Sequence, residues 1–317
     1  MKKIILIFLG FSLCYLGSAQ IEITNAPRWQ LTFRVTDEGG SPIPNANVYA
    51  GYYVPPPLGR GEAGSRKEGV TDTNGLVTLS ARSGPSVGFG ADKVGYYSTS
   101  GLSHQWDWKS KIDGKWQPWN QTLDIVLKRI IKPIPMYAKR IDAEPPDNGK
   151  PVGYDLMVGD WVGPYGKGIN TDIIFTREYN RKSLQDYDYR LTVSFPKVGD
   201  GIQQFSASSK NMEGSALRSP HQAPTNGYQP QIVKLNVSHP GQKLVFDYDE
   251  NRIYIFRVRT ATNDLGNVVS THYGKIYGDF MQFKYYLNPT PNDRNLEFDP
   301  RQNLMTNLKP GEGVSEP

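Results

Sequence analysis

The chain is poor in a chemistry that many exported proteins rely on: it has a single cysteine, Cys14, in 317 residues.

 That residue lies in the opening apolar stretch, so a chain that has lost the stretch can form no disulfide, offers no thiol nucleophile and holds no metal through cysteine. Histidine is scarce too. His104, His221, His239 and His272 are the only four, and none stands in an HExxH or two-residue ligand spacing. Excess charge of one sign is also missing. The balance is 36 basic to 31 acidic, and it falls to 34 against 31 without Lys2 and Lys3, so no nucleic-acid partner is implied. Beyond residues 4–16 no apolar run approaches the length of a membrane span.

That first run has the form of a signal peptide. Lys2 and Lys3 give a basic start, 4–16 are apolar, and Gly17-Ser18-Ala19 supplies small residues before a cleavage point. Residues 1–19 are therefore expected to be removed. The protein is then exported, to the periplasm, cell surface or medium, with no transmembrane anchor after cleavage. Export without disulfides points to a bacterial source.

What remains is rich in turns and aromatics: 32 Gly, 24 Pro and 12% aromatic residues. That composition suits an all-β protein. Leu31, Phe33 and Val35 alternate with polar neighbours, as do Ala46, Val48 and Ala50. Between them Asp37 to Gly40 supplies a turn, and Pro42 and Pro44 stiffen the return. Thr71-Asp72-Thr73-Asn74-Gly75 then separates Val70 from a second apolar run at 76–79, and Asn-Gly is a hairpin signal. The two stretches read as neighbouring hairpins. Together with Gly95-Tyr96-Tyr97 and the alternating 123–127, they resemble the carboxypeptidase regulatory-like domain, a transthyretin-like β-sandwich. The resemblance rests on Val35, Asp37, Gly40, Pro42, Ile43, Asn45, Ala46, Val48, Thr71, Asp72, Asn74 and Gly75, and covers about a third of the chain. It implies a fold and an accessory role in binding or support, and it brings no peptidase site with it.

The expected organisation is two sandwiches. The first spans 29–128 and the second, Ig-like or jelly-roll-like, spans 151–305. A proline-rich linker at 129–150 joins them and a flexible tail follows at 306–317. Seven strand candidates fill the second half, at 172–176, 189–195, 231–237, 243–248, 252–260, 268–277 and 281–287. This half also bears a faint resemblance to exported bacterial proteins of no established function.

Two motif matches are decoys. Gly59 to Gly64 has dinucleotide-binding spacing, but prolines precede it and no helical pattern follows. Gly84-Pro85-Ser86-Val87-Gly88 fits a nucleophile elbow without the helix that elbow requires. Four of the six tryptophans, Trp106, Trp108, Trp116 and Trp119, lie around an Asp113-Gly114 turn. They are either a displayed platform for sugar rings or a local core under a hairpin. Trp106 and Trp108, two apart, would share a strand face. Arg257 and Arg259 stand at the same period and would share a basic face able to hold an anionic glycan, the alternative being a solvated face.

These readings lead first to a non-catalytic binding or cell-envelope protein, with polysaccharide or an envelope protein as partner. The first alternative is a hydrolase in the second half, using His221 or His272 beside a carboxylate. The second is a purely structural envelope component. No cofactor is expected; the acidic stretches around Asp247 and Asp293 leave Ca²⁺ as the one ion with a suitable ligand type.

Overall fold

A computed structural model describes residues 26–54, 63–205, 214–249, 252–280 and 282–317. The expected signal peptide and most of the Gly59–Gly64 spacing fall outside these residues. The described chain is all-β. Its first eleven strands are β1 (Arg28–Thr36), β2 (Asn47–Val54), β3 (Ala63–Val70), β4 (Leu76–Arg82), β5 (Ser86–Asp92), β6 (Tyr96–Tyr97), β7 (Thr99–Gln105), β8 (Lys111–Ile112), β9 (Lys115–Trp116), β10 (Gln121–Val126) and β11 (Lys128–Arg129). Twelve more follow: β12 (Ile134–Ile141), β13 (Pro151–Asp155), β14 (Asp160–Trp161), β15 (Ile173–Ser183), β16 (Asp186–Ser194), β17 (Gly201–Phe205), β18 (Gln231–Ser238), β19 (Val245–Phe246), β20 (Ile253–Thr262), β21 (Val268–Asp279), β22 (Gln282–Leu287) and β23 (Phe298–Asn303).

The first half is a sandwich. One sheet gathers β10, β4, β9 and β8 around β1, and the other runs β3-β2-β5-β7. Alternation on β1 sends Trp29, Leu31, Phe33 and Val35 inward against Val48, Ala50, Val87, Phe89 and Ala91. The two turn-bearing stretches are not hairpins, as their sequence suggested. Each is an arch from one sheet to the other: β1 pairs with β4 and β10, while β2 pairs with β3 and β5. Pro42 and Pro44 explain the first arch, since neither can donate to a ladder. The buried Thr71 hydroxyl ties the arches together, donating to the Ile43 carbonyl (2.7 Å) and accepting from the Ala46 amide (2.8 Å). Gly75, at φ +72°, packs so closely that a side chain there would run into the Val35 carbonyl oxygen.

The second half is a larger sandwich of two six-stranded sheets, β17-β20-β21-β22-β12-β23 and β14-β13-β15-β16-β18-β19. All seven strand candidates are present. Phe280 sits at the centre of the core, in ring contact with Tyr254, Phe175 and Phe283. The sheet containing β20 is buried on both faces: Tyr254, Phe256 and Val258 face the sandwich interior, and Ile253 and Ile255 pack into smaller clusters on the far side. Two stretches depart from expectation. Residues 134–141, read as linker, form β12, an interior strand between β22 and β23. The tail is docked: the Arg140 amide donates to the Glu312 carbonyl (2.8 Å), Val314 is buried, and Lys284 pairs with Glu316 (2.6 Å).

Candidate functional site

Charged side chains inside a protein must be paired or hydrogen-bonded, and one such assembly lies between the two sandwiches. The segment 214–222 is laid against the start of β7. The Ser100 amide donates to the Gly214 carbonyl (2.8 Å) and the Ala216 amide to the Ser98 carbonyl (2.8 Å). This delivers Ser219 and His221 to the seam. Glu38 arrives from the β1–β2 turn, Tyr97 from β6, Lys128 from β11, Lys275 and Tyr277 from β21, and Glu297 from the residue before β23.

His221 is held at both ring nitrogens. Nδ1 lies 2.8 Å from Glu297 Oε1 and Nε2 lies 3.0 Å from Glu38 Oε2. The other oxygen of Glu297 accepts from the Tyr97 hydroxyl (2.8 Å) and the Ile131 amide (3.0 Å). Hydrogen bonding to Glu297 raises the pKa of His221, outweighing burial, so the doubly paired ring is favoured as imidazolium. Burial by itself would raise the pKa of Glu297. The hydrogen bonds from His221, Ile131 and Tyr97 overcome it and hold the carboxyl below its usual value.

Below this clamp is a second layer. Lys128, buried by the sandwich contact, donates to the Ser219 carbonyl (2.8 Å) and stands 3.9 Å from Glu38. The Ser219 hydroxyl accepts from Tyr277 (3.1 Å) and lies 3.3 Å from Lys275 Nζ. Lys275 is fully buried against the rings of Tyr277 and Tyr286. Burial drives its pKa far down, which favours the neutral amine. Ser219, His221 and Glu297 share a neighbourhood, yet they do not form a triad. Both imidazole nitrogens face carboxylates, and the Ser219 hydroxyl is buried among Lys275 and Tyr277. The arrangement can hold two bodies together; it presents no nucleophile and no base to an incoming substrate.

The tryptophan cluster divides. Trp106 and Trp116 are core residues, stacked with centroids 6.0 Å apart. β7 ends before Trp106, and the Asp107–Ser110 turn, closed by the Ser110 amide on the Asp107 carbonyl (2.9 Å), swings Trp108 outward. The two do not share a strand face. Trp108 is 62% exposed and Trp119 is half-buried, with Lys111 near Trp108 and Lys115 over Trp119.

The two arginines also separate. Arg257 donates to the Gly199 carbonyl and lies over Tyr228. A bulge follows Val258, where Arg259 takes φ +57°. The bulge turns Arg259 to the sandwich side, where it meets Asp172 (2.8 Å) and Asp155 (2.9 Å), both buried. Arg257 and Arg259 therefore form no common basic face, and Arg259 is committed within the protein.

The other histidines are engaged or packed away. His239 lies between Asp186 (2.8 Å) and Asp188 (3.2 Å), His104 is edge-on to Trp106, and burial lowers the pKa of His272. The acidic stretches face cations: Asp247 meets Lys234 and Arg252 (both 2.7 Å), and Asp299 meets Arg301 (3.0 Å). Among the described residues, no group of three or more His, Cys, Asp or Glu could hold a metal ion. Ser86 opens β5 rather than a helix, which removes the elbow reading.

No known protein family matches the chain, and no curated protein does. Among solved structures, the shaft pilin SpaA of Lactobacillus rhamnosus GG, solved as a point mutant, aligns over 90% of this chain and 100% of its own at 10% identity. The TM-score is 0.22, too low to carry an argument about this chain.

Proposed function

We propose that the chain is an exported, non-catalytic structural component of the cell envelope, built as two sandwiches clamped into one body. The observation that carries this reading is the seam: His221 joins Glu38 of the first sandwich to Glu297 of the second, with both nitrogens committed. Buried ionic groups of this kind cost desolvation and return positional specificity. Among the described residues no helix is long and apolar enough to cross a membrane. The first sandwich, with its two arches tied by Thr71, fits the accessory role of a carboxypeptidase regulatory-like domain. The reading is tested by producing the full chain in a bacterial host, fractionating the cells and sequencing the recovered N-terminus. An exported protein beginning at Gln20 is expected; an intact chain retained in the cytoplasm overturns it.

A second reading, polysaccharide binding, retains one displayed surface. Trp108 and Trp119 with Lys111 and Lys115 offer ring faces and positive charge suited to an acidic glycan. A fluorescence titration with acidic polysaccharides should give a saturable change that Trp108→Ala abolishes. No change with any polysaccharide removes this reading.

A further inference from the structure

An open sheet edge is a template for another strand, and proteins usually guard it with charge, proline or cover. Most edges here are guarded. β3 carries Arg66, Lys67 and Glu68, and β23 carries Pro300 and Arg301. β7 is covered at its first residues by the 214–216 segment, and β17 by Gln229, whose main chain exchanges two bonds with Ile202 (2.8 and 2.9 Å). β19 differs. It ends its sheet, its only strand partner among the described residues is β18, and Leu244, Val245 and Phe246 are 53%, 47% and 54% exposed. Leu235 and Tyr179 continue the exposed apolar surface nearby.

We propose that β19 is a self-association edge, and that its occupant is the β19 of a second copy, paired antiparallel about a two-fold axis at Phe246. The main chain sets the register. Val245 stands opposite Val237, and the Asp247 amide donates to the Leu235 carbonyl (3.0 Å). Antiparallel alternation therefore turns the main-chain groups of Val245 and Asp247 toward β18, and those of Leu244, Phe246 and Tyr248 out over the open edge. A two-fold axis at Phe246 pairs these outward groups with one another: Phe246 with Phe246 of the second copy, and Leu244 with its Tyr248. The side chains agree with that register. Phe246 and Tyr248 already lie 5.8 Å apart, so the axis gathers two such pairs and two leucines into one cross-strand cluster. An edge that is its own complement closes as a dimer and joins two six-stranded sheets into one. This inference concerns a surface remote from the His221 seam and does not rest on the envelope role.

Sedimentation velocity over a wide concentration range tests it. The chain should populate a dimer in growing proportion, and Phe246→Lys should leave a folded monomer with an unchanged circular dichroism spectrum. Because Cys14 is the only cysteine, a Cys14→Ser background permits a direct register test. Hydrogen-bonded antiparallel partners have Cα atoms about 5.5 Å apart, within the roughly 4.4–6.8 Å that a disulfide spans. Phe246→Cys should thus oxidise to a covalent dimer, while Leu265→Cys, on a remote turn and 83% exposed, should not. A monomer at every concentration, a dimer indifferent to Phe246→Lys, or equal crosslinking at both positions would overturn the proposal.

Discussion

Glu38 and Glu297 face each other across one imidazole ring, 3.0 and 2.8 Å from its two nitrogens. One belongs to a turn of the first sandwich and the other to the residue before the last strand of the second. Glu297 is almost fully buried, so removing the ring leaves a carboxylate without its main counter-charge. His221→Ala should destabilise the protein by about 3 kcal/mol, the low end of the range for breaking one side of a buried ion pair, because Glu38 is partly exposed to solvent. Urea unfolding of the two proteins measures it, and a loss no larger than that of a surface substitution would show that the clamp contributes little.

The clamp should also depend on pH in a defined window. The folded-state pKa of His221 is raised above its ordinary 6.5, so its contribution is complete below 6.5 and is lost as pH rises through the folded value. Glu297 is depressed below its ordinary 4.5, so its contribution is present above 4.5 and is lost as pH falls through the lowered value. The stability difference between wild type and His221→Gln should be largest between these limits and shrink on the alkaline side. Thermal midpoints of both proteins across pH provide the comparison. A difference that grows with alkalinity contradicts the assignment of an imidazolium.

Arg259 and Arg257 should behave differently, although they are two residues apart on β20. Arg259→Ala leaves Asp155 and Asp172 buried without their cation and should cost about 3–5 kcal/mol. Arg257→Ala loses a contact with Gly199 and Tyr228 and should cost less than half of that. If the two losses are equal, the bulge at Val258 does not turn Arg259 inward.

The tryptophans should separate by quenching. Trp29, Trp106 and Trp116 are buried and Trp119 and Trp161 half-buried, so a large blue component of the emission should resist iodide. Trp108→Ala should remove the most accessible component, since Trp108 is 62% exposed, with little change in stability. Trp116→Ala should destabilise by about 3–5 kcal/mol, as core aromatic truncations do. With Trp161 half-buried, Trp108→Ala, Trp119→Ala and Trp161→Phe combined should leave only resistant emission, and an accessible fraction surviving all three would place a core tryptophan at the surface.

The sandwiches were legible because period-two alternation and turn residues act locally. Leu31, Phe33 and Val35 announce β1, and Asp72 caps its own turn through bonds to the Asn74 and Leu76 amides (both 2.9 Å). Strand partners were less legible: the arches look like hairpins until the pairing of β1 with β4 is known. β12 was hidden by Pro133 and Pro135. In the folded chain the ladder to β22 begins at Tyr137, and Pro135 falls at the irregularity between Ile134 and Met136, so its missing donor disrupts no regular pairing. The seam was the least legible part. His221 meets residues far away in sequence in both directions, and no local pattern encodes that meeting. A faint signal exists in the charges set among apolar neighbours: Lys128 after Val126 and Leu127, Lys275 between Gly274 and Ile276, and Glu297 between Leu296 and Phe298. Such charges are either errors of strand assignment or members of a buried network.

Differential scanning calorimetry tests the central claim, that the seam makes two sandwiches one body. The wild-type chain should melt in a single cooperative transition at neutral pH. Combining Glu38→Ala with His221→Ala, which removes the clamp but leaves both cores intact, should split the trace into two transitions with the lower one shifted down. Two independent transitions already present in the wild type, or a single transition unchanged in the double variant, would contradict the account.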